Sequence, residues 1–327
     1  MDFRCPAGHS ACRCEPVFDL FVGDEMYLGI DFLVAPDLRP FVVEVNVGLP
    51  GGAQEYDLTC RVRNGRPSNV FEEIEETART VYRKPFREYL GSLPWLESLK
   101  PFKLWLDGAG PFPRTFHPGL RLEDKWVQYQ ILSSLIPMPE TRAFDPRDRG
   151  AAERFLFEKG QLIMKRRLGR GGRGLQLIGR PEDLGLETVR DYGRILQEWV
   201  DSRVGPYVFS IRSIAFGGRP ICSYANLSTR SYSNHGILAY VESGDRLGLS
   251  SDEFGTRAFN QKSWEAEIWF GENEPAYLRH NLYEDEVATA ALILPGDVIA
   301  AIKDISVRIE RFYESLDPAA LPPALCE

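Results

Sequence analysis

LGIDFLVAPDLRPFVVEVNVGLPGG, Leu28 to Gly52, consists of two apolar runs separated by a turn-forming APDLRP segment, and the runs carry Asp31, Glu44 and Asn46. Short, β-branched-rich apolar runs bounded by Pro and Asp predict two neighbouring strands. Residues i and i+2 of a strand share a face, so Glu44 and Asn46 are expected to point together while Val43 and Val45 point into the core. Two carboxylates and an amide on adjacent strands are oxygen donors for one hard cation. Magnesium, with phosphate oxygens completing its shell, suits such a set. The Gly-Leu-Pro-Gly-Gly that follows reads as a tight turn where backbone can approach a ligand closely. An ordinary hairpin with polar residues on its wet face would use the same residues, and this segment alone leaves both readings open.

The 327 residues carry 39 Lys and Arg against 47 Asp and Glu, a net charge of -8. That mild acidity argues against a general nucleic-acid or anionic-membrane binder, so any anion site must be local. No apolar run approaches the length that spans a bilayer, and the first residues, MDFRCPAGHSACRCE, contain no apolar signal core. A cytoplasmic location with six reduced cysteines is therefore expected. Cys5, His9, Cys12 and Cys14 cluster near the start and would make a Zn2+ set. Their spacing lacks the paired C-x2-C knuckle, which favours a terminal tail over a metal site.

Further along, Asn69 to Leu90 places Phe71, Ile74, Ala78, Val81 and Tyr82 at helical spacing, interrupted by Pro85. The Pro- and Gly-rich stretch from Gly91 to Gly119 reads as a connector, with His117 an incidental loop residue. Leu122 to Leu135 predicts a helix with Trp126, Tyr129 and Leu132 inward, and a further helix is expected to open at Asp145-Pro146. Gln161 to Ile178 reads as strand, four-glycine loop, strand. Arg194 to Val200 is an apolar strand, and YVFSIRSIAF with RPICSYANLS forms a hairpin about Gly217-Gly218. Thr229 to His280 shows no clean period and is expected to shape a substrate loop. Gly296 to Leu316 repeats Val298, Ile299, Ile302, Ile305, Ile309 and Phe312 on one helical face.

The loop LGRGGRG, Leu168 to Gly174, holds Gly169, Gly171, Gly172 and Gly174 amid Lys165, Arg166, Arg167, Arg170 and Arg173. Glycine backbone N-H groups and cationic side chains together suit a phosphate cover. The loop matches neither a Walker motif nor a dinucleotide fingerprint, because strand pattern follows it. An exposed basic hairpin would account for the same charges.

The order of parts nevertheless resembles the ATP-grasp superfamily. Asp124-Lys125 precedes IPMPET, Lys165 precedes GRGGRG, and Gln197-Glu198-Trp199-Val200 matches the family's hinge. SIRSIAFGGRPICSYANLSTRSYSNHG, Ser210 to Gly236, resembles the arginine-bearing hairpin of its peptide-tail glutamate ligases (the RimK-like branch), and Leu28 to Gly52 resembles the metal strands, "G-I-D … E-V-N-x-x-P-G". Those strands normally come last; here they come first. Joining the final helix back to the start of the chain restores the usual order, and permutation of this kind preserves contacts while moving the break.

The resemblance implies an α+β fold, an ATP-grasp of two α/β lobes clamping ATP, circularly permuted. Its parts would be a Cys-rich tail (1-15), the metal-binding strands (16-60), a connecting segment (61-120), an N-lobe with glycine loop and hinge (121-205) and the rest of the C-lobe (206-327). It also implies that Lys125 and Lys165 contact ATP phosphates beneath the glycine loop, that Gln197 to Val200 meet the adenine, and that Asp31, Glu44 and Asn46 hold Mg2+. Arg212 would stabilise an anionic intermediate, with Arg230 and Asn234 as weaker candidates. The implied activity is ligation of a carboxylate to an amine acceptor, an amino acid or peptide, through an acyl phosphate. A small-molecule kinase, a regulatory ATP-binding module and a zinc-dependent interaction factor are the competing readings. Nucleic-acid and membrane partners are not expected, and a homodimer is compatible with the sequence.

Overall fold

The computed structural model describes residues 26–47, 50–93, 98, 101–102, 105, 117–169, 172, 174–185, 193–230, 236–251, 253–262, 282–317 and 320–321. The chain is a mixed α+β protein built on two sheets. In chain order the elements are β1 (Tyr27–Val34), β2 (Pro40–Asn46), α1 (Ala53–Asn64), α2 (Val70–Val81), α3 (Phe86–Gly91), a 3-10 turn (Pro118–Glu123), α4 (Lys125–Leu132), β3 (Thr141–Phe144), α5 (Arg149–Lys159), β4 (Leu162–Arg166) and β5 (Gln176–Ile178). They continue with β6 (Arg194–Glu198), β7 (Arg203–Val204), β8 (Tyr207–Phe216), β9 (Arg219–Ser228), β10 (Ile237–Gly244), β11 (Gly248–Leu249), β12 (Thr256–Lys262), β13 (Leu282–Ala288), β14 (Leu292–Pro295) and α6 (Gly296–Glu314).

The larger sheet has ten strands in the main order β11-β14-β10-β9-β8-β1-β2. It is mixed, with β10 pairing β13 and β14 in parallel and its other pairs antiparallel. The smaller sheet is antiparallel throughout, β3-β6-β4-β5. Helix α6 covers one face of the large sheet with Val298, Ile302, Ile305 and Ile309, and buried Ser306 bonds Ser213 of β8 at 3.0 Å. Burial of four such side chains contributes roughly 1.5–3 kcal/mol each. Helix α1 covers the other face, Leu58 meeting Tyr224, Leu238 and Val287. Helix α5 packs Ala152, Phe155 and Leu156 on the small sheet, forming a second core with Leu162, Met164, Ile178 and Leu196.

Several local expectations require correction. Val43 does not enter the core: a β-bulge between Asp31 and Phe32 pairs Asp31 with Glu44 and Phe32 with Val42, leaving Val43 as the extra residue, part-exposed. Bulges re-aim side chains in this way. On α4 the buried residues are Lys125, Val127, Gln128 and Leu132, whereas Trp126 and Tyr129 stack on each other on the outer side with centroids 5.9 Å apart. Asp145-Pro146 forms a turn, and α5 starts only after Asp148, whose carboxylate accepts from Ala151 N at 3.0 Å. Val81 of α2 is exposed, and the Thr229–His280 region contains β10, β11 and β12. Helix α1 has no counterpart among the expected elements. Among the described residues no helix is long and apolar enough to cross a membrane.

Candidate functional site

Strands β1, β2, β8 and β9 of the large sheet and β4 and β6 of the small one enclose an open cleft of about 750 Å³. Eight of the residues singled out in the sequence line it: Asp31, Glu44, Lys165, Gln197, Glu198, Trp199, Val200 and Arg212.

Register explains the convergence. Asp31 is the direct cross-strand partner of Glu44 on one side and of Arg212 on the other, so a row of three charged side chains crosses β2, β1 and β8. Arg212 donates to both carboxylate oxygens of Asp31, Nε to Oδ1 at 2.5 Å and Nη2 to Oδ2 at 2.8 Å, and its Nη1 reaches Gly51 O at 3.1 Å. Asn46 Nδ2 donates to Asp31 Oδ2 and to Gly29 O, both at 3.3 Å. Room for this arrangement depends on Gly29, because a Cβ there would lie 2.4 Å from Pro50 Cβ and 3.3 Å from Arg212 Cδ. The glycine and proline of the quoted stretch thus press against each other beside the guanidinium.

Lys125 is 7 % exposed and enters from the first position of α4. Its Nζ lies 3.2 Å from Glu44 Oε1 and donates to Gly169 O at 2.8 Å, joining the acidic row to the root of the glycine loop. Asp124 caps the same helix by accepting from Trp126 N at 2.9 Å, and it takes a bidentate bond from Arg167 at 2.7 and 3.0 Å. Lys165 shares a face of β4 with Ile163, both lining the cleft, while Met164 between them is buried in the small core.

Burial drives the electrostatics. Lys165 is pushed down to about 8, chiefly by desolvation and in part by Lys125, with Glu44 and Asp31 pulling the other way. Burial lifts the Asp31 carboxyl above its ordinary range despite the Arg212 guanidinium, and the neighbouring Glu44 adds to the lift. Arg212 is held more firmly protonated by Asp31, although its burial opposes this.

In the 197–200 segment, Gln197 is buried and its Nε2 donates to Thr141 Oγ1 at 3.0 Å. Glu198 N donates to Glu140 O at 2.8 Å and Trp199 N to Gln161 O at 3.2 Å, so these two N–H groups are already engaged within the protein. The Glu198 carboxylate is tied back as well, taking bonds from Lys159 Nζ and Glu140 N at 3.3 Å.

Gly169, Gly172 and Gly174 lie in described loop positions, the last two at φ 66° and 76°, a conformation L side chains rarely adopt. Gly171, Arg170, Arg173, Asn234 and the Cys5/His9/Cys12/Cys14 set fall outside the described residues. Arg230 follows the end of β9, exposed, and is not among the residues lining the cleft. His117, expected to be incidental, caps the 3-10 turn through Nδ1, which accepts from Gly119 N at 3.0 Å.

Residues not anticipated include Ser210 and Asn226, cross-strand partners on β8 and β9, and the apolar wall of Leu33, Val43, Leu175, Val208 and Phe209. Ser210 and Leu33 are each two positions from a charged site residue, Arg212 and Asp31. That period-2 signal could have found them.

Among the described residues no three His, Cys, Asp or Glu side chains converge as a metal group. A cation of the magnesium type takes one or two protein carboxylates and draws its other ligands from phosphate and water. To hold one, Asp31 would have to yield an oxygen now bonded by Arg212, and Asn46 would have to turn its Oδ1 rather than its Nδ2 toward the acids, with Glu44 beside Lys125 as the other carboxylate. The lift on the Asp31 carboxyl, owed chiefly to burial and in smaller part to Glu44, is what such a cation would relieve. Comparison with models of known protein families finds no match, and comparison with curated proteins finds none either.

Proposed function

We propose that the chain is a circularly permuted ATP-grasp enzyme that joins a carboxylate to an amine with ATP, through an acyl phosphate. The observation carrying this reading is the meeting in one cleft of Asp31 and Glu44 with Lys165, the 197–200 segment and Arg212, although the first two lie more than a hundred residues before the others in the chain. Lys165 and Arg212 line the cleft with Asp31, Glu44 and Glu198, and Lys125 meets Glu44 beside it, so cationic groups that can take phosphate oxygens stand next to carboxylates that can share a cation with them.

In this reading Lys125 and Lys165 hold phosphate oxygens while Gly169 to Gly174 cover them. The apolar wall and Val200 receive the base. Asp31, Glu44 and Asn46 hold Mg2+, which when bound supplies charge neutralisation for the transferring phosphoryl group. Arg212, anchored through Asp31 and Gly51 O, offers its charge to the substrate carboxylate as it takes the γ-phosphoryl group. The amine then displaces phosphate, which leaves with the bonding pair, so no protein nucleophile is needed.

The test is an incubation of purified protein with Mg·ATP and a panel of amino acids and peptides. Release of ADP and phosphate with a ligated product by mass spectrometry is expected, abolished by Glu44→Gln without loss of fold. AMP with pyrophosphate would sink the acyl-phosphate route, and a stable phosphorylated product would make the chain a kinase.

A further inference from the structure

Among the described residues β2 is the last strand of the large sheet, with no next strand to bond its outward backbone groups. Gln128 of α4, 1 % exposed, stands in for one. Its Oε1 accepts from Val45 N at 3.0 Å and its Nε2 donates to Val45 O at 2.6 Å, the pair of bonds an antiparallel neighbour would make to a single residue. The same Nε2 reaches Leu122 O at 2.6 Å, which ties the amide to the turn before the helix. Either side of this grip, Val47 N donates to Glu123 Oε1 at 2.8 Å and Val42 N to Pro137 O at 2.9 Å.

Val45 lies between Glu44 and Asn46, and Lys125, three residues before Gln128 on the same helix, meets the Glu44 carboxylate. One helix therefore holds both the backbone and the side chain of the strand that carries two of the three proposed cation ligands. We propose that Gln128 is a positioning residue for those ligands: its amide acts as a surrogate edge strand that holds β2 where Glu44 and Asn46 face Asp31. The proposal rests on the Mg·ATP reading above, and it predicts that cation affinity depends on a side chain that never touches the cation. Outer-shell groups of this kind typically govern about 10- to 100-fold in metal affinity.

Mn2+ serves as the probe, its free concentration followed by electron paramagnetic resonance in the presence of a non-hydrolysable ATP analogue. Gln128→Met is expected to weaken Mn2+ binding about 10- to 100-fold with far-UV circular dichroism unchanged, and to speed hydrogen exchange at the Val45 amide. If exchange speeds up while Mn2+ affinity stays within about twofold of wild type, Gln128 only supports the fold and the proposal is overturned. The wild-type protein supplies a second measurement, needed if the variant fails to fold. Coupling is reciprocal, so Mn2+ with the analogue must slow exchange at Val45, and no slowing overturns the proposal. Equal binding by Glu44→Gln and wild type, or none by wild type, sinks the cation reading itself and this inference with it.

Discussion

Lys165 is the cleft residue whose charge pH will report most directly. With its amine brought down to about 8, a fraction is neutral near physiological pH, and phosphate held beside it would draw the proton back. Nucleotide binding is therefore expected to take up protons around pH 8, and ATP affinity to fall as pH rises through that value. Calorimetry in buffers of differing ionisation heat checks the uptake, and Lys165→Arg should flatten the affinity profile, because a guanidinium stays charged. A profile unchanged by that substitution would show that Lys165 does not meet the phosphates. The charged site residues were legible in the sequence because an acid, amide or lysine within an apolar strand needs a partner wherever it lands. The bulge that turns Val43 into the cleft was not legible, since nothing in FVVEVN distinguishes the extra residue from its neighbours. Ser210 and Asn226 were hidden for another reason. Polar residues alternating along a strand look the same on a wet face as on a binding face.

At the scale of elements, α4 is fixed to the glycine loop by the buried pair Asp124–Arg167 and by Lys125 N donating to Arg167 O at 3.0 Å. Removing one partner of a buried pair leaves an uncompensated charge at a cost of roughly 3–5 kcal/mol, more than removing both. Arg167→Met is thus expected to destabilise the protein by that order in chemical unfolding. The double change Asp124→Leu/Arg167→Met should cost less, and additive losses would contradict the pairing. A second buried acid tests α6. Glu310 accepts from Gly218 N at 3.0 Å at the β8–β9 turn, and its Oε1 finds no partner among the described residues. Burial raises its carboxyl from 4.5 to about 8. A raised acid contributes stability that is fully present below 4.5 and lost as pH climbs through 8, on the order of 4 kcal/mol across the window. Glu310→Gln should therefore stabilise the protein at pH 9 and change it little at pH 5, measured as melting temperature at both. The main strands and α6 could be read from the period of their apolar residues. Helix α1 could not, because Leu58, Cys60 and Val62 recur every second residue and its buried face includes Glu55 and Asp57.

For the molecule as a whole, one of the places where the order of elements along the chain and their order in space diverge is the front of the chain. β1, the first strand among the described residues, sits beside β8 in the large sheet, and α6, the last α-helix among them, packs on β1, β8, β9 and β14. A chain in which α6 led directly into β1 would make the same contacts. The proposed permutation would account for motifs that resemble the family's while standing in a different order along the chain. The permutation reading has a direct test in a rearranged gene, with Glu327 joined to Met1 by a Gly/Ser linker and new termini opened between α3 and the 3-10 turn at Pro118. Loop-closure cost changes only slowly with length, so moving the break should leave stability nearly intact. The rearranged protein is expected to melt within about 5 °C of the parent and to bind Mg·ATP equally well. Failure to fold, or folding without nucleotide binding, would mean that the present break is itself part of how this cleft is built.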